Sequence, residues 1–119
     1  MKKKIFLCDD NVHFLEALEL VLSMTDATIV SENKSSQALS YILRENPDIF
    51  ICDLSMPEVK GEDLIKQIRA RKEFDDMFIL CISASYDANN IALHAGADHF
   101  LPKPFEMDVL LSIVNEALA

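Results

Sequence analysis

Glycine and proline are scarce in this chain, two and four residues of 119. So few backbone breakers exclude a collagen-like repeat or a flexible low-complexity linker, and with 50% hydrophobic residues the composition is that of a packed globule. Basic side chains are also few: 11 Lys and Arg face 20 Asp and Glu, a formal charge of −9. That imbalance opposes direct binding to nucleic acid or to an anionic membrane, where affinity comes mostly from Lys and Arg neutralising phosphates. No apolar run approaches the ~18 residues of a membrane span. The basic start Lys2-Lys3-Lys4 is followed by only Ile5–Cys8 before two aspartates, so no signal peptide is expected and the cytoplasm is the default compartment. Three cysteines, Cys8, Cys52 and Cys81, are an odd set without CxxC spacing, which disfavours disulfides and zinc and leaves them as small core hydrophobes. The length suits one domain over residues 1–119.

The apolar residues that are present fall into two patterns. Lys4–Cys8, Ile49–Cys52 and Phe78–Ile82 are short continuous runs, as in strands buried on both faces. Thr28–Ser31 and His99–Leu101 are shorter and more polar, which predicts strands nearer the sheet edges. Between them the period lengthens to about 3.6. Phe14, Leu15, Leu18, Val21 and Leu22 mark a first helix, and Ala38, Leu39, Ile42 and Leu43 a second that Pro47 closes. Leu64, Ile65 and Ile68 mark a third, Ile91, Ala92 and Ala95 a fourth ending at Gly96, and Val109 to Ala117 a fifth. Five alternations of strand and helix predict an α/β fold, a doubly wound five-stranded parallel sheet with right-handed crossovers.

In such sheets the ligand site lies beyond the carboxyl ends of the strands, where strand order reverses. The residues found there are Asp9 and Asp10, Asp53, Ser83 and Lys103. With strand order 2-1-3-4-5, the acidic pair faces Asp53 across the switch point. Three clustered carboxylates repel one another unless a cation joins them. Mg²⁺, which takes one or two carboxylates together with phosphate oxygens and water, suits the set better than zinc or a calcium cage. Asp53 stands alone at the end of its strand and is the best candidate for a nucleophile toward phosphorus. Lys103 and Ser83 are placed to bind phosphoryl oxygens. His13, His94 and His99 lack metal-ligand spacing. The ordinary role for Asp9 or Asp10 is to cap the first helix, and Glu58, Glu62 and Asp63 read as a solvated face near the start of the third.

These residues resemble the receiver domains of two-component response regulators, with their CheY-like, flavodoxin-like fold. The likeness is carried by Asp9-Asp10, by Asp53-Leu54-Ser55-Met56-Pro57 with Gly61 eight residues after the aspartate, by Ser83-Ala84, and by Ala97 to Phe105 around Lys103-Pro104. The separations of 30 residues from Asp53 to Ser83 and 50 from Asp53 to Lys103 are similar to the family's. The resemblance implies that Asp53 accepts a phosphoryl group from a phosphohistidine on a sensor histidine kinase or phosphotransfer protein. It further implies that Asp9, Asp10, Asp53 and the Ser55 backbone carbonyl hold Mg²⁺ or Mn²⁺, and that Ser83, Ala84 and Lys103 bind the phosphoryl group. A cis peptide between Lys103 and Pro104 is implied as well. Ser83 and Phe100 would then switch the surface of the fourth helix, fifth strand and fifth helix toward an effector domain, a target protein or a second copy. By the same resemblance, Ser55 and Ser85 occupy positions that in the family tune the lifetime of the acyl phosphate.

Two departures bear on that reading. Phe100 stands where the family most often has Tyr, so no phenolic hydrogen bond can form, and Ser83 replaces the commoner Thr. Rival functions are weaker. A turnover phosphatase of the haloacid dehalogenase type needs an acid two residues after the nucleophile, where this chain has Ser55. A flavin or nucleotide module needs a phosphate loop after the first strand, where Asp9-Asp10 would repel the ligand. A degenerate receiver would lack a core position, and none is missing. A signalling switch that catalyses only its own phosphoryl transfer and dephosphorylation is the expected activity, rather than a metabolic enzyme.

Overall fold

The computed structural model describes residues 2–85 and 87–119. Five strands, β1 (Lys4–Cys8), β2 (Thr28–Glu32), β3 (Ile49–Asp53), β4 (Phe78–Ser83) and β5 (His99–Pro102), alternate with α1 (Val12–Leu22), α2 (Ser35–Glu45), α3 (Gly61–Arg69), α4 (Ala88–Ala95) and α5 (Met107–Leu118). The strands form one parallel sheet in the order β2-β1-β3-β4-β5. The two polar runs are therefore the edges, as their composition predicts.

The continuous apolar runs are divided by strand alternation between two faces. Phe6, Cys8, Phe50, Cys52, Ile79 and Cys81 pack beneath α2, α3 and α4. Ile5, Leu7, Ile49, Ile51, Leu80 and Ile82 pack against Leu15, Leu18 and Leu22 of α1 and Leu110 and Val114 of α5. The register sets Cys8 beside Cys52 and Cys52 beside Cys81, a row of thiols directly below the carboxyl ends. All three are free and buried. Burial is the largest cause that pushes Cys8 and Cys81 up to about 12 and Cys52 well upward, so they remain neutral thiols.

Helix ends follow local chemistry. Asn11, not Asp9 or Asp10, caps α1: its side chain accepts the Phe14 N–H at 3.1 Å, the usual geometry of an N-cap. Asn46, at φ 46°, terminates α2 in the left-handed conformation, so Pro47 follows a stop already made. Gly96 ends α4 at φ 117°, where a side chain would be strained. The turn it begins is held by Arg69, which donates to the carbonyls of Gly96 and Phe74 at 2.8 and 2.9 Å and to Asp98 at 2.7 Å. Phe74 sits in a single 3-10 turn, Lys72–Phe74, that links α3 to β4; no periodicity predicts so short an element. Glu62 and Asp63 lie in the first turn of α3, where acidic side chains complement the helix dipole.

Candidate functional site

The register Cys8↔Cys52 brings the residues after β1 next to the end of β3. Asp9, Asp10 and Asp53 each offer a carboxylate oxygen, and the three oxygens lie within 4.8 Å of one another. The expected acidic cluster is thus formed at the β1/β3 switch point. Asp9 and Asp53 are 3% and 6% exposed, while Asp10 is open to solvent.

Each buried carboxylate is fixed by a backbone donor two residues on. Asp9 Oδ1 accepts the Asn11 N–H at 2.9 Å, and Asp53 Oδ1 accepts the Ser55 N–H at 3.2 Å. Lys103 completes the electrostatics, with Nζ 3.2 Å from Asp9 Oδ2 and 4.0 Å from Asp53 Oδ2. The Lys103–Pro104 peptide is cis, and the Lys103 N–H donates to the Ser83 carbonyl at 2.9 Å. Burial raises the Asp53 carboxyl above its ordinary value, helped by the charge of Asp10 and opposed first by Lys103 and then by the N–H groups of Ser55 and Leu54. Asp9 is raised too, chiefly by burial and also by Asp53, against the Asn11 N–H and Lys103.

One ammonium among three carboxylates leaves the site short of positive charge. The donors are all hard oxygens, while the nearby thiols are held protonated. That chemistry fits Mg²⁺ or Mn²⁺ rather than a soft metal.

The remaining sequence candidates stand on two flanks. On the α4 side, Ser83 is wholly buried and its Oγ accepts the Ser85 N–H at 3.1 Å. Ser55, Ser83 and Ser85 line one pocket of about 220 Å³ with Met56 and Lys60. On the other side, Ala84, Lys103 and Pro104 line an open apolar pocket of about 400 Å³ with Phe14 and Phe105. Phe100 is half-buried and packs against the core under α4, away from both pockets.

Two contributors to the site, Phe14 and Ser35, were not singled out by sequence reasoning. Phe14 is counted there only as one member of an apolar helical stripe, yet its ring covers the Lys103 ammonium, 4.2 Å from Nζ to centroid. Ser35, buried at the start of α2, accepts the Val59 N–H at 2.7 Å and ties down the β3–α3 loop. Met56 anchors the same loop in the core, its Sδ 3.5 Å from Cys8 Sγ. Only Phe14 carries a sequence signal, its place one turn after the acidic doublet.

Comparison with known proteins bears on the family and the fold. The sequence model of the response regulator receiver domain matches residues 5–115. The response regulator MprA of Mycobacterium leprae (strain TN) is 32% identical over 117 residues, covering 97% of this chain and 50% of that protein. The DNA-binding transcriptional regulator NtrC of Salmonella typhimurium is 28% identical over 115 residues, covering 97% of this chain and 24% of that protein. The chain therefore spans about half the length, or less, of these curated relatives. Among solved structures, the chemotaxis response regulator CheY4 of Vibrio cholerae superposes with a TM-score of 0.89 at 20% identity, over 98% of this chain and 99% of the other, a likeness of fold. With the family's sequence model matched from β1 into α5 and the fold shared, the chain belongs to the response regulator receiver domains.

Proposed function

We propose that this receiver is the phosphoacceptor of a two-component phosphorelay and that Asp53 is its phosphorylation site. The observation that carries the reading is the convergence of three carboxylates within 4.8 Å with one ammonium between two of them. An Asp53 oxygen attacks the phosphorus of a phosphohistidine on a histidine kinase or phosphotransfer protein, and the P–N bond to the imidazole breaks. Asp9, Asp10, Asp53 and the Ser55 carbonyl hold Mg²⁺ or Mn²⁺. The bound ion supplies positive charge that offsets the negative charge of the phosphoryl oxygens. Lys103 and the Ser83 hydroxyl receive two of those oxygens, with the Ala84 N–H as a further donor. Ser55 and Ser85 border the path of the water that later hydrolyses the acyl phosphate.

Switching follows from the same contacts. The unphosphorylated Lys103 is closer to Asp9 than to Asp53, and a phosphoryl group adds acceptors that draw it and Ser83 inward. Release of the Ser83 hydroxyl from Ser85 and movement of Phe100 rebias the α4–β5–α5 surface toward an effector domain, a target or a second copy. Coupling of roughly 1–3 kcal/mol is enough for such a switch. The domain acts as a signalling switch rather than as a turnover enzyme, and it works in the cytoplasm, beside its kinase. No helix among the described residues is long and apolar enough to cross a membrane.

Incubation with acetyl phosphate and Mg²⁺ is expected to add one phosphoryl group at Asp53, read by intact mass and by peptide mapping after hydride trapping. Modification at another residue, or none with either small donors or kinases, would remove the reading. Lys103→Ala is expected to leave phosphorylation partly intact while abolishing the gain in partner affinity on phosphorylation. Titration of the phosphorylated variant against its partner measures this, and an undiminished gain would dissociate Lys103 from signalling.

A further inference from the structure

Phe14, Asn11, Asp9 and Lys103 close a ring of contacts around one edge of the site. Asp9 Oδ1 accepts the Asn11 N–H at 2.9 Å, and Asn11 Oδ1 accepts the Phe14 N–H at 3.1 Å. The Phe14 ring then lies 4.2 Å from Lys103 Nζ, and that ammonium returns to Asp9 Oδ2 at 3.2 Å. Phe105 meets Phe14 edge-on, with centroids 6.0 Å apart and planes at 79°, which fixes the plane of the Phe14 ring. The α1 cap that starts the helix therefore also sets the height of an aromatic face against the lysine.

A lysine stem has four rotatable bonds, and a single ion pair to one carboxylate does not hold it in one place. An aromatic face attracts an ammonium through its quadrupole, most strongly where water is displaced. Here the Lys103 side chain keeps 25% of its surface exposed, and the groups beside it in the open pocket, Phe14, Ala84, Pro104 and Phe105, offer it no oxygen partner, so the ring face is the contact opposite Asp9. With Asp9 on one side and the ring on the other, Nζ stays within 4.0 Å of Asp53 Oδ2 before any phosphoryl group arrives.

We infer that Phe14 is a positioning residue for Lys103, holding its ammonium by a cation–π contact at the place where the phosphoryl group is received. This rests on the reading of Asp53 as the phosphoacceptor. Phe14 contributes no atom to the reaction; it preorganises the cation that does.

The test compares the wild-type chain with Phe14→Leu, which keeps apolar bulk but removes the π face, and with Phe14→Tyr, which restores it. With acetyl phosphate and Mg²⁺, Phe14→Leu is expected to lower the phosphorylation rate constant by about three- to tenfold, and Phe14→Tyr to return it to near the wild-type value. In a chain already carrying Lys103→Ala, Phe14→Leu should cost nothing further, a non-additivity that a general packing defect would not give. An arm independent of phosphorylation reads the lysine directly: its ε-methylene protons are expected upfield in the wild type, shifted by the ring current, and at ordinary positions in Phe14→Leu. Equal rates for wild type and Phe14→Leu, or a full additional loss in the Lys103→Ala background, would overturn the inference. So would ε-methylene protons that do not respond to Phe14→Leu. Absence of phosphorylation in the wild type would instead count against Asp53 as acceptor, while the proton shifts still decide the contact.

Discussion

Asp53→Asn is expected to abolish phosphoryl incorporation and, in the same molecule, to raise the thermal midpoint of the metal-free protein. The loss follows because an amide has no anionic oxygen to attack phosphorus. The gain follows because Asp53 is almost wholly buried beside two other aspartates, and Lys103 stands nearer to Asp9 than to it. An uncharged side chain of the same shape removes a poorly solvated charge and one member of a repelling set. A gain of about 1 kcal/mol in a domain of this size corresponds to roughly 3–6 °C. Saturating Mg²⁺ should reverse the order if Asp53 is one of its ligands, as proposed above, since a ligand at a hundred times its Kd stabilises the folded state by about 2.7 kcal/mol. Differential scanning calorimetry with and without Mg²⁺ checks both halves. A metal-free variant that melts at or below the wild-type temperature would refute the electrostatic account.

The pH dependence of that difference has a definite sign. Burial raises the Asp53 carboxyl above its ordinary value of 3.8, so the folded chain holds this proton more tightly than the unfolded chain does. Ionisation of Asp53 therefore costs stability. The cost is present in full above the folded-state value, shrinks as pH falls through it, and vanishes below the unfolded-state value. Asp9 is raised in the same sense. The advantage of Asp53→Asn without metal is then largest near neutral pH and fades toward pH ~4. A difference that instead grew on acidification would mean that the folded state favours the ionised Asp53.

Most of the sheet and the centre of the site are legible in the sequence because both are set by patterns longer than one residue. Continuous apolar runs mark β1, β3 and β4, and the acidic residues ending two of them meet wherever β1 and β3 are neighbours. What stays illegible depends on single side chains choosing partners in three dimensions. Asn11 rather than an aspartate caps α1 because both neighbouring carboxylates face the site. Asn46 ends α2 in the left-handed conformation, one residue before the proline to which a reading of the sequence assigns the stop. α4 begins at Ala88, before the apolar stripe at Ile91, because its first exposed positions, Asn89 and Asn90, are polar. The link from Ser35 to Val59, the Arg69 clamp and the Phe14 ring each join segments far apart in sequence, and no periodicity reports them.

Gly61→Ala carries the other large expected effect, and its sign separates two explanations for a glycine at the start of α3. If Gly61 were only a weak helix former, alanine would stabilise the protein by up to about 1 kcal/mol. The local geometry forbids that outcome. A Cβ on Gly61 would lie 2.5 Å from the Asp53 carbonyl oxygen and 2.7 Å from Leu54 Cα, and both are backbone atoms that no rotamer change can move. The Gly61 N–H also donates to the Leu54 carbonyl at 3.1 Å, so the helix start is held against the strand end that presents Asp53. Relief must come from moving that strand end or the β3–α3 loop, and either shift displaces the Asp53 carboxylate and Ser55 from Asp9 and Asp10. Overpacking of this kind costs about 1–3 kcal/mol, and a displacement near 1 Å at a reacting group can reduce rate about a hundredfold. Urea unfolding should therefore show a lower midpoint with an unchanged slope, and acetyl phosphate labelling should be slower by at least tenfold. A variant as stable as the wild type that labels at the same rate would show that the close approach of α3 to β3 does not hold Asp53 in place.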